Sequence, residues 1–169
     1  MNALQKYINR DNSLVNNYLR GYVETMTDEE IYKSKKLINE LNLYFDKYKF
    51  KNEYNFRVYR GIRNSKKRKY DYYLNTQKTY ISASFSERIA LNNYTGHDGF
   101  LLIIDIKPDI PFLVVNPFIR EHNDFDEDED EILLQKGIKL IPTKIIDKND
   151  IENEYKFMGV TIIYCNVTI

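Results

Sequence analysis

Between Asp124 and Glu131 seven of eight residues are acidic, and the run leads straight into the apolar segment Ile132-Leu133-Leu134. Such a segment reads as a buried strand, and side chains two apart on a strand project to the same side. A strand starting near Glu129 therefore aims the carboxylates of Glu129 and Glu131 at one point on its open end. Two carboxylates directed at one spot suit chemistry at a sugar carbon. The earlier acids, Asp124, Asp126, Glu127 and Asp128, read as solvated loop.

Two further motifs precede this pair. Val58-Tyr59-Arg60-Gly61 sets an arginine at the end of a predicted strand, beside a glycine that lets another group approach the backbone closely. Tyr80-Ile81-Ser82-Ala83-Ser84 is a predicted strand whose two serines share a face and can offer hydroxyls to a neighbouring carboxylate. Ala83 points the other way.

The elements that must position these groups are legible in outline. Leu4, Tyr7 and Ile8, then Leu14, Val15, Tyr18 and Leu19, have helical spacing and predict two short helices before residue 23. Thr27 with Glu30 is a capping box that opens a longer helix, whose apolar stripe is Ile31, Leu37, Ile38, Leu41, Tyr44, Phe45 and Tyr48. Beyond Lys51-Asn52-Glu53 the pattern becomes β-rich, with strands expected at Phe56 to Ile62, Thr79 to Ser84, Phe100 to Ile106, Phe112 to Val115, Ile132 to Leu134, Ile138 to Ile146 and Val160 to Thr168. A short helix capped by Ser86 is expected among them. Helices first and strands second argue for an α+β fold with antiparallel or mixed sheets.

Composition narrows the function classes. The 169 residues are 43% hydrophobic and 30% charged with a formal net charge of +0, a globular balance with no global field for nucleic acid or an anionic membrane. Cys165 is the only cysteine, which excludes an intramolecular disulfide and a cysteine zinc cluster, and its flanks read as strand around a buried, inert thiol. His97 and His122 lack the spacing of a metal site. No secretion signal or bilayer-spanning run is present, so the chain is expected to stay in the cytoplasm where it is made. Delivery into a host cell by a machine that reads no such signal, or excision from a longer polypeptide, would leave no trace. The basic run Arg63, Lys66-Lys67-Arg68-Lys69, followed by Tyr70, Tyr72 and Tyr73, reads as a solvated loop, with phosphate contact and base stacking as the alternative.

Taken in order, Arg60, Ser82-Ala83-Ser84 and Glu129-Asp130-Glu131 resemble the arginine, Ser-Thr-Ser and Glu-x-Glu signature of the cholera-toxin-like ADP-ribosyltransferases, including the catalytic domains of bacterial exotoxins. Ala83 departs from the usual threonine. Tyr7 and Asn16-Asn17-Tyr18-Leu19-Arg20-Gly21 are similar to the stretch ahead of the catalytic core in such toxins, so the resemblance runs from about residue 4 to about residue 140.

The resemblance implies one catalytic domain over residues 1–169, with a helical front over 1–50 and a β-rich core over 51–169. The implied fold has two packed, mainly antiparallel sheets around an NAD cleft. It implies transfer of ADP-ribose from NAD to a protein acceptor bearing an exposed arginine, without a metal. In that reading Glu131 favours the sugar cation through the ribose 2′-hydroxyl, Ser82 holds Glu131, and Arg60 with Gly61, Ser82 and Ser84 binds NAD. Glu129 orients or deprotonates the acceptor, Phe125 lies in the acceptor-recognition turn, and Tyr94, in the loop from Asn92 to Asp98, stacks on nicotinamide or belongs to the core. Two rivals remain: an NAD glycohydrolase with the same site, and a non-enzymatic module that binds basic protein or nucleic acid. The acceptor's identity and the oligomeric state are not encoded in these motifs.

Overall fold

The structure, a computed structural model, describes residues 2–50, 53–74, 77–115 and 131–169. Glu129 and Phe125 fall outside the described residues, so the structure says nothing of either.

The helical front begins with α1 (Ala3–Lys6), whose cap Asn2 makes reciprocal bonds with Gln5. It passes through a π turn at Tyr7–Asp11 into α2 (Asn12–Arg20). The two expected helices are thus joined, because the extra residue of the π turn absorbs the break in apolar spacing without ending the helical path. Gly21, at φ +86°, closes α2 in the left-handed conformation. The Thr27–Glu30 capping box starts α3 (Asp28–Tyr48) as expected. Leu37, Ile38, Leu41 and Phe45 are its buried stripe, and full burial of each stabilises by about 1.5–3 kcal/mol. Tyr48 departs from the stripe: it lies outside, its ring tilted against that of Tyr44 and the Lys47 ammonium over it.

Seven strands follow: β1 (Phe56–Ile62), β2 (Ile81–Ser84), β3 (Phe100–Ile106), β4 (Phe112–Val115), β5 (Glu131–Leu134), β6 (Lys139–Ile146) and β7 (Thr161–Thr168). Between them lie α4 (Asp71–Leu74), which the sequence pattern did not suggest, and α5 (Glu87–Tyr94), capped by Ser86. The strand order is β4-β5-β2-β1-β3-β7-β6, antiparallel throughout except for the parallel pair β3–β7.

The fold is α+β, and its sheet has two halves. Strands β1 and β3 are in register over their whole length, whereas β1 and β2 share the single pair Tyr59↔Ser84. Ile81 and Ala83 of β2 and Ile132 and Leu134 of β5 share one core with Val58, Leu102, Ile104, Ile163 and Cys165 of the other half. Where two packed sheets were expected, the strands form one sheet whose halves are joined between β1 and β2 by that single pair and part beyond it. The outer face of the β4-β5-β2 half packs on the helical front through Tyr80, Leu113, Val115 and Leu133. The outer face of the other half packs on Ala90 and Leu91 of α5. Cys165 is fully buried, and burial pushes its thiol up to about 12, as an inert core cysteine requires.

Candidate active site

The splay between β1 and β2 opens a cavity of about 680 Å³, a volume ordinary for small-molecule and cofactor sites. Its walls come from the π turn of the helical front, the end of β1, β2, the first residue of β5 and the last turns of α5. Arg60, Gly61, Ser82, Ser84, Tyr94 and Glu131 all line it.

Arg60 leaves β1 at the fork and donates from Nη1 to the backbone carbonyl of Ser82 at 2.7 Å. Burial lowers its guanidinium from the ordinary value, partly offset by Tyr7 and Glu131, while Arg20 adds a like charge nearby. Arginine remains a cation at neutral pH even so. The Tyr7 phenol lines the same cavity: burial raises it, its bond with Asn16 opposes this, and both Arg60 and Glu131 act on it. Arg60 and Glu131 face this one space from different strands.

Strand register decides how the serines meet the carboxylate. Ser84 pairs directly with Glu131, and Ser82 pairs with Leu133. Residues opposed across an antiparallel pair share a face, so Ser82, Ser84 and Glu131 lie on the helical-front side of the sheet. Ala83 turns to the opposite core. Ser84, expected to bind NAD, is thus the direct neighbour of Glu131, and Ser82, expected to hold that carboxylate, is the diagonal one. The Ser84 hydroxyl also accepts the backbone N–H of Ser86, the bond that turns the chain into α5.

Gly61 is required, but by the protein's own backbone. A Cβ there would stand 2.1 Å from the Ala90 carbonyl oxygen and 2.7 Å from the Tyr94 Cβ, so the close approach is that of α5. Tyr94 is the last residue of α5 rather than a loop residue, because the helix runs on against Gly61 beyond its apolar residues. It is 44% exposed, which removes the core alternative.

Tyr7 and Asn16 of the helical front, noted above for their resemblance, line the cavity, and so do front residues that the sequence did not single out. Asn9 and Arg10 reach the cavity from the π turn, and Asn12 and Asn16 from α2. Among the described residues no group of three or more histidine, cysteine, aspartate or glutamate side chains is placed to hold a metal ion, and no helix is long and apolar enough to cross a membrane.

Neither a protein-family model nor a curated protein matches the sequence. Solved structures do match the fold. The Salmonella SpvB ATR domain superimposes with a TM-score of 0.67 at 18% identity, covering 99% of this chain and 97% of that one. The fold is that of the bacterial ADP-ribosyltransferase toxins. Exoenzyme S from Pseudomonas aeruginosa, solved with human 14-3-3 protein beta and bound to Carba-NAD, gives 0.64 at 16% identity over 97% of this chain and 70% of its own. The ADP-ribosyltransferase Vis in complex with agmatine gives 0.65 at 15% identity over 99% of this chain and 73% of its own. At these identities the likeness is one of ADP-ribosyltransferase fold.

Proposed function

We propose that the protein is a mono-ADP-ribosyltransferase that takes NAD as substrate, transfers ADP-ribose to an arginine on a protein and releases nicotinamide. The observation that carries this reading is the convergence of Arg60, the serine face of β2 and Glu131 on one cavity, in a chain with the ADP-ribosyltransferase fold. In this reading residues 1–169 form one catalytic domain.

The reaction breaks the bond between ribose C1′ and the nicotinamide nitrogen, and the electron pair leaves with nicotinamide. The sugar passes through a cation like that of glycoside hydrolysis. Glu131 stabilises it by accepting a hydrogen bond from the ribose 2′-hydroxyl, with Ser84 and Ser82 fixing the carboxylate. The Arg60 fork takes the diphosphate, and the exposed Tyr94 ring stacks on nicotinamide. A guanidinium nitrogen of the acceptor then bonds to C1′ and gives its proton to Glu129, while Phe125 contacts the acceptor. The arginine acceptor is supported by the Glu-x-Glu form of the motif and by the agmatine complex of a protein with the same fold, agmatine being a guanidinium compound.

The test is incubation of the purified chain with labelled NAD and agmatine or a cell lysate, followed by measurement of free nicotinamide and of labelled adduct. Nicotinamide with a labelled guanidinium adduct supports the transferase. Nicotinamide without any adduct would make water the acceptor and the protein a glycohydrolase. Release of no nicotinamide under any condition would end the enzymatic reading.

A further inference from the structure

The basic run after β1 has a built shape that a merely solvated loop does not need. Five of the seven residues from Arg63 to Lys69 are cationic and none is acidic. The Asn64 carboxamide ties the turn together, accepting from the Arg68 N–H and the Tyr73 hydroxyl and donating to the Arg68 carbonyl. Lys67 is held at φ +46°, a left-handed conformation that lysine rarely adopts. Lys66, Lys67 and Lys69 are exposed, and none has an ion-pair partner among the described residues. The bonds to Asn64 thus hold the backbone from which these three side chains project, with the Asp98 carboxylate acting on Lys67 from outside the turn.

Aromatic rings complete the surface. The Arg68 guanidinium lies 3.9 Å from the centre of the Tyr72 ring. Tyr72 is 50% exposed and Tyr22 47%. A hydrogen bond with the Tyr22 hydroxyl, followed by the charges of Arg68 and Arg20, lowers the Tyr72 phenol from its ordinary value, so the two rings and the two guanidiniums are neighbours.

We propose that this turn, with Tyr72 and Tyr22 beside it, is a docking surface for single-stranded nucleic acid, with phosphates on Lys66, Lys67 and Lys69 and a base stacked on the tyrosines. Exposed rings interleaved with cations offer every base a π-face and every phosphate a charge. An acidic peptide would use the lysines and leave the rings idle. A duplex would hide its bases from them. The surface adjoins the helix that closes one side of the cavity: Arg63 donates to the Asn93 carbonyl, next to the lining residue Tyr94 at the end of α5. A bound strand would therefore lie on the α5 side of the cavity. The proposal does not depend on the reaction assigned to the cavity.

The test is fluorescence anisotropy of a labelled oligothymidylate titrated with the intact chain at several salt concentrations. The comparison is with the triple variant Lys66→Ser, Lys67→Gly, Lys69→Ser and with Tyr72→Ala and Tyr72→Phe. Glycine suits the left-handed position, and thermal melting checks that each variant folds. The parent should bind, and the triple variant should bind at least about tenfold more weakly, with a log–log salt slope smaller by roughly two. Tyr72→Ala should lose about fivefold or more with the slope unchanged, and Tyr72→Phe should bind like the parent. Nicotinamide release by the triple variant should stay at the parent level. Failure of the parent to bind, equal binding by the triple variant, or displacement of the oligonucleotide by polyglutamate as readily as by unlabelled strand would overturn the proposal, the last by making the surface one for acidic protein.

Discussion

Arg60 on β1 reaches across the fork and donates to the carbonyl of Ser82 on β2. The bond spans the place where the two strands have stopped pairing, so one guanidinium both ties the halves of the sheet and faces the cavity between them. Lysine offers no planar fork. Arg60→Lys should raise the Michaelis constant for NAD about tenfold or more and lower stability by about 1 kcal/mol. Steady-state kinetics with urea denaturation separates the two effects. Lost stability with an unchanged Michaelis constant would leave Arg60 a purely structural tie.

Glu131 opens β5 directly across from Ser84, on the face that looks into the cavity. Glu131→Gln keeps the shape and removes the charge that the proposed reaction uses on the sugar cation. Nicotinamide release should fall by at least about a hundredfold, with melting temperature and circular dichroism unchanged. Equal turnover in variant and parent would remove Glu131 from the mechanism.

Glu129→Gln should separate transfer from hydrolysis. If this carboxylate takes the acceptor's proton, adduct formation on agmatine should drop much further than nicotinamide release with water as acceptor. The two rates are measured in one reaction by chromatography. Parallel loss of both would deny Glu129 any acceptor role.

Gly61 has the Ala90 carbonyl oxygen 2.1 Å from where a Cβ would stand, and a backbone carbonyl cannot swing aside as a side chain can. Gly61→Ala should force α5 away from β1 and cost about 3 kcal/mol, read as a lower urea midpoint. A midpoint like the parent's would mean that α5 is not held as tightly as the structure has it.

Alkaline pH should weaken the fold. Burial holds the Tyr80 and Tyr7 phenols above their ordinary value of 10.0 and pushes the Cys165 thiol up to about 12 from 9.0. In the folded chain these groups stay neutral while in the unfolded chain they ionise. Their contribution is whole below pH 9 and is lost as pH rises from about 9 toward 12. The urea midpoint should therefore fall between pH 8 and pH 11, and less so in Tyr80→Phe. A midpoint independent of pH over that range would contradict the burial of these groups.

Local patterns carried most of the element list. The Thr27–Glu30 capping box, the period-two strands and the Ser86 cap are short-range effects, in which a side chain satisfies a backbone donor a few residues away or alternates with its neighbours, and they fall where the spacing puts them. The π turn at Tyr7–Asp11 was not legible, because a widened helix differs from a regular one by a single residue per turn and is selected by what packs against it. The run of α5 through Tyr94 was likewise set by its contact with Gly61.

The sequence by itself determined which groups were available for chemistry and on which elements they sit: a guanidinium at the end of one strand, two hydroxyls on one face of another, a carboxylate at the start of a third. Tertiary structure alone decided that these elements meet at a fork, that Ser84 rather than Ser82 lies directly across from Glu131, and that a helical front closes the cavity. The reason is range. Alternation and capping act within a few residues, whereas register and the splay of a sheet are set by contacts between segments tens of residues apart, through packing on both faces that no single segment encodes.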